Sequence, residues 1–199
     1  MGRMRGISET PGGLQYLPDF IEGDEQDELL AHLEGLDYGE VRMHGVVARR
    51  RVRHWGVGYD FDTRELRPGD AIPPWLAPVR VRAAAVLGAG TDAVAEALAT
   101  YYPPGATIGW HRDAPAFGDV VGISLGSRCL LRFQRGKGDQ RTVHEQVLEP
   151  RSGYVLAGEV RWRWEHSIPA VPHARWSLTF RTIRRSLVDS GDRPITVGG

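Results

Sequence analysis

The chain has 199 residues, 41% of them apolar, and its 25 Lys and Arg balance its 25 Asp and Glu. That length suffices for one domain with a substantial core, and the charge balance excludes a global field steering the molecule to nucleic acid, so any polyanion contact has to be local. With 25 Gly and 13 Pro, turns are favoured over long helices, which predicts an α+β, β-dominant fold.

Residues 1–13 are expected to form a flexible N-terminus, residues 14–185 the folded domain and residues 186–199 a polar tail. Leu14 to Phe20 reads as an entering strand. Asp24 is placed to cap a helix reaching Leu36, with Leu29, Leu30, Leu33 and Leu36 on one face. From Val41 to Asp62 lie β-compatible pieces broken by Gly45, Gly56 and Gly58. They carry the basic run Arg49, Arg50, Arg51, Arg53 and His54, which suggests an exposed hairpin or lid. Pro73, Pro74 and Pro78 lead to a second helix, Ala77 to Leu87, closed by Gly88.

Asp92 to Thr100 has helical propensity. It nevertheless runs through Tyr101 and Tyr102 into the turn Pro103-Pro104-Gly105, so its last part is predicted as strand. Val120–Leu125, Cys129–Phe133, Thr142–Leu148, Tyr154–Ala157 and Ser177–Ile183 follow as short strands between turn-rich segments. Such a series predicts a sandwich or jelly roll. The only cysteine, Cys129, excludes an internal disulfide and a cysteine-based metal site and suits a reducing compartment. No apolar run approaches the roughly eighteen residues of a membrane span, and the Gly/Arg-rich N-terminus lacks the apolar segment of a signal peptide. A soluble cytoplasmic protein is expected, with no membrane association and no evident obligate protein partner.

In His111-Arg112-Asp113 the outer side chains share one side of a strand or tight loop and can reach one ion. Taken alone this is usually a surface pair. His166 supplies a third ligand, and two imidazoles with one carboxylate leave positions open, as suits non-haem Fe(II) and dioxygen. Downstream, Arg175 and Arg181 fall on one face of an extended strand, their Cα atoms roughly 20 Å apart. Stems leaning inward bring their planar forks within reach of a five-carbon dicarboxylate. Each part also has an ordinary explanation: a carbonyl-satisfied His166, or a solvated arginine face.

Together these segments resemble the AlkB family of Fe(II)- and 2-oxoglutarate-dependent dioxygenases. The resemblance rests on Tyr102-Pro103-Pro104-Gly105-Ala106, His111-Arg112-Asp113, His166-Ser167-Ile168-Pro169 and the run Arg175 to Arg181, supported by Ile123 to Ser127 and Leu148 to Ser152. It covers roughly Leu14 to Arg184. It implies a double-stranded β-helix, or jelly roll, with supporting helices on one side. It also implies His111, Asp113 and His166 as catalytic iron ligands, Tyr102 and Arg175 on the distal carboxylate of 2-oxoglutarate, and Arg181 near its chelating end. Thr100 and Ser177 stand where many members have asparagine.

The implied cofactors are Fe(II), 2-oxoglutarate and O2, and the implied reaction is oxidative demethylation of alkylated bases in DNA or RNA, releasing formaldehyde, succinate and CO2. Such a base must be extruded or single-stranded, then stacked on a ring. His54, Trp55 and Tyr59 lie in the segment resembling the nucleotide-recognition lid, where Arg51 and Arg53, with Arg49 and Arg50, can meet phosphates. A solvated hairpin with Trp55 in the core is the plainer reading. Ala114, Pro115 and Ala116 replace an acidic residue common in adenine- and cytosine-directed members. The alternatives are therefore the same chemistry on modified transfer RNA, a protein side chain or a small molecule, and a nucleic-acid-binding module without catalysis.

Overall fold

The structure is a computed structural model describing residues 10–43, 46–60 and 63–184. Residues 1–9, the 186–199 tail, and Gly45 and Asp62 of the expected lid lie outside the described residues. In chain order the elements are β1 (Leu14–Leu17), α1 (Gly23–Glu34), β2 (Gly39–Met43), β3 (Val46–Asp60), β4 (Glu65–Pro68), α2 (Ala77–Val86) and β5 (Val94–Tyr102). They continue with β6 (Ile108–His111), β7 (Phe117–Leu125), β8 (Cys129–Arg135), β9 (Thr142–Leu148), β10 (Gly153–Leu156), α3 (Gly158–Arg163), β11 (Glu165–Ile168) and β12 (Arg175–Ile183).

Two antiparallel sheets face each other. The larger runs β1-β10-β7-β12-β5-β3-β2, with β4 on β3; the smaller runs β6-β11-β8-β9. From β5 to β12 the chain changes sheet at nearly every connection, which winds the strands into the expected jelly roll. Strict alternation then sorts side chains into two interiors. On the outer face of the large sheet, Ala97, Ala99, Val121, Ile123, Leu178 and Phe180 pack with Leu29 and Leu33 of α1 and Val79 and Ala83 of α2. Between the sheets, Tyr102, Val120, Leu131, Phe133, Leu148, Leu156 and Ile168 form the second cluster. Both long helices therefore sit on one side, and burying each large side chain there contributes about 1.5–3 kcal/mol.

Several local expectations change. Asp24 does not cap α1: Glu22 occupies that position without a side-chain bond, and Asp24 lies in the first turn. Asp92–Thr100 does not begin as helix beyond a single 3-10 turn at Thr91–Ala93; β5 takes over at Val94. Its alanines are small because Ala97 and Ala99 lie wholly buried in the layer beneath the helices, so tertiary packing overrides propensity. The short elements β4, β6, α3 and β11 were not expected from the sequence, being too brief to display a period. Among the described residues no helix is long and apolar enough to cross a membrane.

Candidate metal and cosubstrate site

The smaller sheet builds the candidate metal cluster. His111 ends β6 and His166 lies on β11, and the register makes them direct cross-strand partners, with ring centroids 4.2 Å apart. Asp113 follows in the loop after β6, and the nearest ligand atoms of His111, Asp113 and His166 all lie within 4.8 Å of one another. The Nδ1–H of His111 donates to the Gly109 carbonyl at 2.9 Å, which leaves Nε2 with its lone pair for a metal. One oxygen of Asp113 accepts from Arg181 at 2.8 Å, and the other lies 3.9 Å from His166 Nε2.

Electrostatics keeps these groups ready to coordinate. Burial pushes His166 down to about 3, against the pull of Asp113, so its imidazole is neutral at ordinary pH. Burial alone raises Asp113, but Arg181, helped by His166 and Arg161, holds its carboxyl far below the usual range. Neither ligand has to release a proton to take a cation near neutrality.

A second, fully buried element lies on the same inward face of β12 as Arg181, the partner of Asp113. Arg175 has no exposed surface; its Cζ lies 4.9 Å from the ring centre of Tyr102, its register partner on β5, and its Nη2 donates to Ser124 Oγ at 3.1 Å. Its Nε and Nη1 have no hydrogen-bond partner among the described residues. A buried guanidinium with two unsatisfied donors is costly unless an anion completes it. Thr100, Ser177 and Thr179 share this inward face, since the register pairs Ser177 with Thr100 and Thr179 with Leu98. Arg181 shares the face but is committed to protein carboxylates, Asp113 and Glu96. The forks of Arg175 and Arg181 are thus not both open to a dicarboxylate; on Arg181 only Nε is left without a partner.

The expected substrate group divides. The register pairs Arg51 with Tyr101, Arg53 with Ala99 and Trp55 with Ala97, which puts all three on the helix side of the sheet. Arg51 pairs with Glu40 at 3.1 Å and Arg53 with Asp70 at 2.5 Å. Trp55 is only 5% exposed and sits edge-on to Trp75, a core tryptophan rather than an open stacking platform. His54 alone of these four turns inward, its Nδ1 2.9 Å from Glu96. Tyr59 lies farther along, opposite Leu66 of β4. Trp110 points away from His111 and lies under Arg132, its ring centre 5.2 Å from the guanidinium.

The sequence assigned no site role to several residues that shape the site. Buried Arg161 on α3 donates to the carbonyls of Ala114, Phe117 and Gly118 at 2.7–2.9 Å, clamping the loop that begins at Asp113. Tyr154 lies across Gly122, where a Cβ would sit 2.1 Å from its ring. Glu96 is buried in an alanine-rich stretch with no motif around it. A charged residue inside an otherwise apolar strand was the one available signal.

A family model described as the 2OG-Fe(II) oxygenase superfamily matches residues 13–186. The chain belongs to that superfamily, as an AlkB-like member. This 2-oxoglutarate-dependent dioxygenase takes Fe(II), 2-oxoglutarate and O2 as its family does, and the His-Asp-His cluster is a possible iron site. The oxygenase is 28% identical to the Alkylated DNA repair protein ALKBH8 homolog of Arabidopsis thaliana, over 87% of this chain and 55% of that one. It is also 28% identical to the mouse (Mus musculus) tRNA (carboxymethyluridine(34)-5-O)-methyltransferase ALKBH8, over 82% of this chain and 25% of that one. The chain thus spans about half of the first relative and a quarter of the second. In fold it is similar to OsALKBH1, with a TM-score of 0.67 and 16% identity over 87% of this chain and 97% of that one.

Proposed function

We propose that this oxygenase demethylates alkylated bases in nucleic acid, with iron on His111, Asp113 and His166 and the distal carboxylate of 2-oxoglutarate on Arg175 and Tyr102. One observation carries the cosubstrate assignment: the buried Arg175 fork with two unsatisfied donors, on the same face of β12 as the Arg181 that holds Asp113. When bound, the iron and cosubstrate would draw on O2 to supply an oxidant able to hydroxylate an N-methyl carbon, with the cosubstrate leaving as succinate and CO2 and the hemiaminal releasing formaldehyde.

The protein's own residues orient the parts. Ser124 and the Tyr102 ring fix the Arg175 guanidinium, and Arg181 occupies one Asp113 oxygen so that the other faces the histidines. Thr100 and Ser177 offer hydroxyls in place of the asparagines common in the family. Arg181 acts in this reading through Asp113 first and on the chelating end of the cosubstrate only through Nε. His54 is the member of the substrate group that faces the site. Residues 14–185 serve as the catalytic unit, a span that the superfamily match supports.

Support for a nucleic-acid substrate comes from the names of the Arabidopsis and mouse relatives. The second of these favours another reading, hydroxylation of a modified transfer RNA. Fe(II)-dependent succinate formation, measured across N-methylated DNA, RNA and transfer RNA, tests both. Formaldehyde in step with succinate supports demethylation; a one-oxygen mass gain on transfer RNA without formaldehyde supports the second reading. Succinate with neither overturns both.

A further inference from the structure

Glu96 is 1% exposed, and a carboxylate so buried needs partners for its charge. It has two. Arg181 Nη1 donates to Oε2 at 2.6 Å, while His54 Nδ1 lies 2.9 Å from Oε1. The other amino group of the same guanidinium, Nη2, donates to Asp113 Oδ1 at 2.8 Å. The planar fork of Arg181 therefore serves a different carboxylate with each arm. A continuous chain His54–Glu96–Arg181–Asp113 crosses three adjacent strands, from a half-exposed imidazole to a metal-ligand candidate. Gly56, opposite Glu96 on β3, has φ 82°, and a Cβ there would lie 2.0 Å from the Ala95 carbonyl, so the strands approach closely at this point.

Resting on the iron reading above, we infer that Glu96 is a positioning residue for the metal centre and that His54 ties it to the site-facing side of β3. Glu96 acts in two ways. It fixes Arg181 from behind, so Arg181 holds Asp113 by one oxygen and turns the other to the histidines. It also offsets the Arg181 charge, which otherwise falls wholly on Asp113 and weakens that carboxylate as a donor to a cation. Groups one step behind a metal ligand commonly set affinity this way.

The test titrates Co(II), a spectroscopically visible stand-in for Fe(II), into the apo protein and reads the dissociation constant and ligand-field spectrum. Glu96→Gln keeps the shape and removes the charge; it is expected to raise the Co(II) dissociation constant by about 10–100-fold and to alter the spectrum. His54→Gln, at the half-exposed end, is expected to raise it by about threefold. The double variant should bind no more weakly than Glu96→Gln, because His54 acts through Glu96. Wild-type affinity and spectrum in Glu96→Gln overturn the inference alone. If Glu96→Gln does not fold, His54→Gln decides: weaker binding upholds the chain and unchanged binding overturns it. A wild-type protein that takes up no Co(II) brings down the iron reading, and this inference with it.

Discussion

Leu178 and Phe180 on β12 face the helices and join an apolar layer, whereas Arg175, Ser177, Thr179 and Arg181 on the same strand face the second sheet and stay polar though nearly as buried. One strand thus serves two interiors with opposite economies. The helix-side layer is stabilising throughout, every side chain leaving water for close-packed neighbours. The inner face gives stability up, since a buried Arg175 with two unsatisfied donors is worse for folding than an apolar residue of its size. The difference teaches where function sits: on the face where burial and pairing do not balance within the protein.

That contrast can be broken from either side. The largest effect is expected from His111→Ala or Asp113→Ala, which should abolish succinate formation through loss of the metal, checked in parallel by Co(II) binding. On the helix side, Phe180→Ala should cost about 3–5 kcal/mol in urea unfolding, yet turnover per folded molecule should stay within about twofold. Trp55→Ala belongs with it, losing stability and depressing substrate-free decarboxylation and nucleotide turnover alike. A selective loss of nucleotide turnover would instead return Trp55 to the substrate group. Arg175→Met should raise the KM for 2-oxoglutarate by about 100-fold, the worth of two charge-assisted hydrogen bonds, without lowering thermal stability. A fall in stability would mean that the guanidinium is satisfied within the fold.

The two faces should also part on acidification. His166 is held to about 3 when folded and returns to its ordinary 6.5 when unfolded, so the unfolded chain binds the extra proton between those values. Asp113, depressed by Arg181, loses its contribution as pH falls below its unfolded value of 3.8. Apo-protein Tm should therefore drop as pH is lowered from about 6.5, and Phe180→Ala should drop in parallel with wild type. His166→Phe should lose the part of the decline above pH 4, and an unchanged profile would refute this origin. The smallest effect is expected from Arg53→Gln, whose exposed pair with Asp70 should be worth less than about 1 kcal/mol. Any loss of oligonucleotide affinity there should vanish in high salt.

Much of this was legible in residue order, and what was not has a physical reason. His111, Asp113 and His166 stood out once the family resemblance joined ligand chemistry that admits few residue types, and short alternating segments narrowed the fold to a sandwich or jelly roll, of which the resemblance implied the second. Register was hidden. A run such as Arg49 to Arg53 looks like one basic patch, yet a period of two sends Arg51 and Arg53 to the helix side with Trp55, and His54 to the other. Glu96 was hidden for the same reason: nothing near it announces that strand pairing will bring Arg181 alongside. Propensity alone favours helix around Ala97 and Ala99 because it sees the residue and not the layer it must fit beneath.

The direct pairing of His111 with His166 has one more consequence. Sliding β11 by a single residue along β6 would present Glu165 or Ser167 where the imidazole belongs and turn His166 to the opposite side. Under the proposed iron assignment, tight binding would be open only to correctly aligned strands, so the metal would proofread the closure of the smaller sheet and, once bound, would penalise every misaligned closure in proportion to its own affinity.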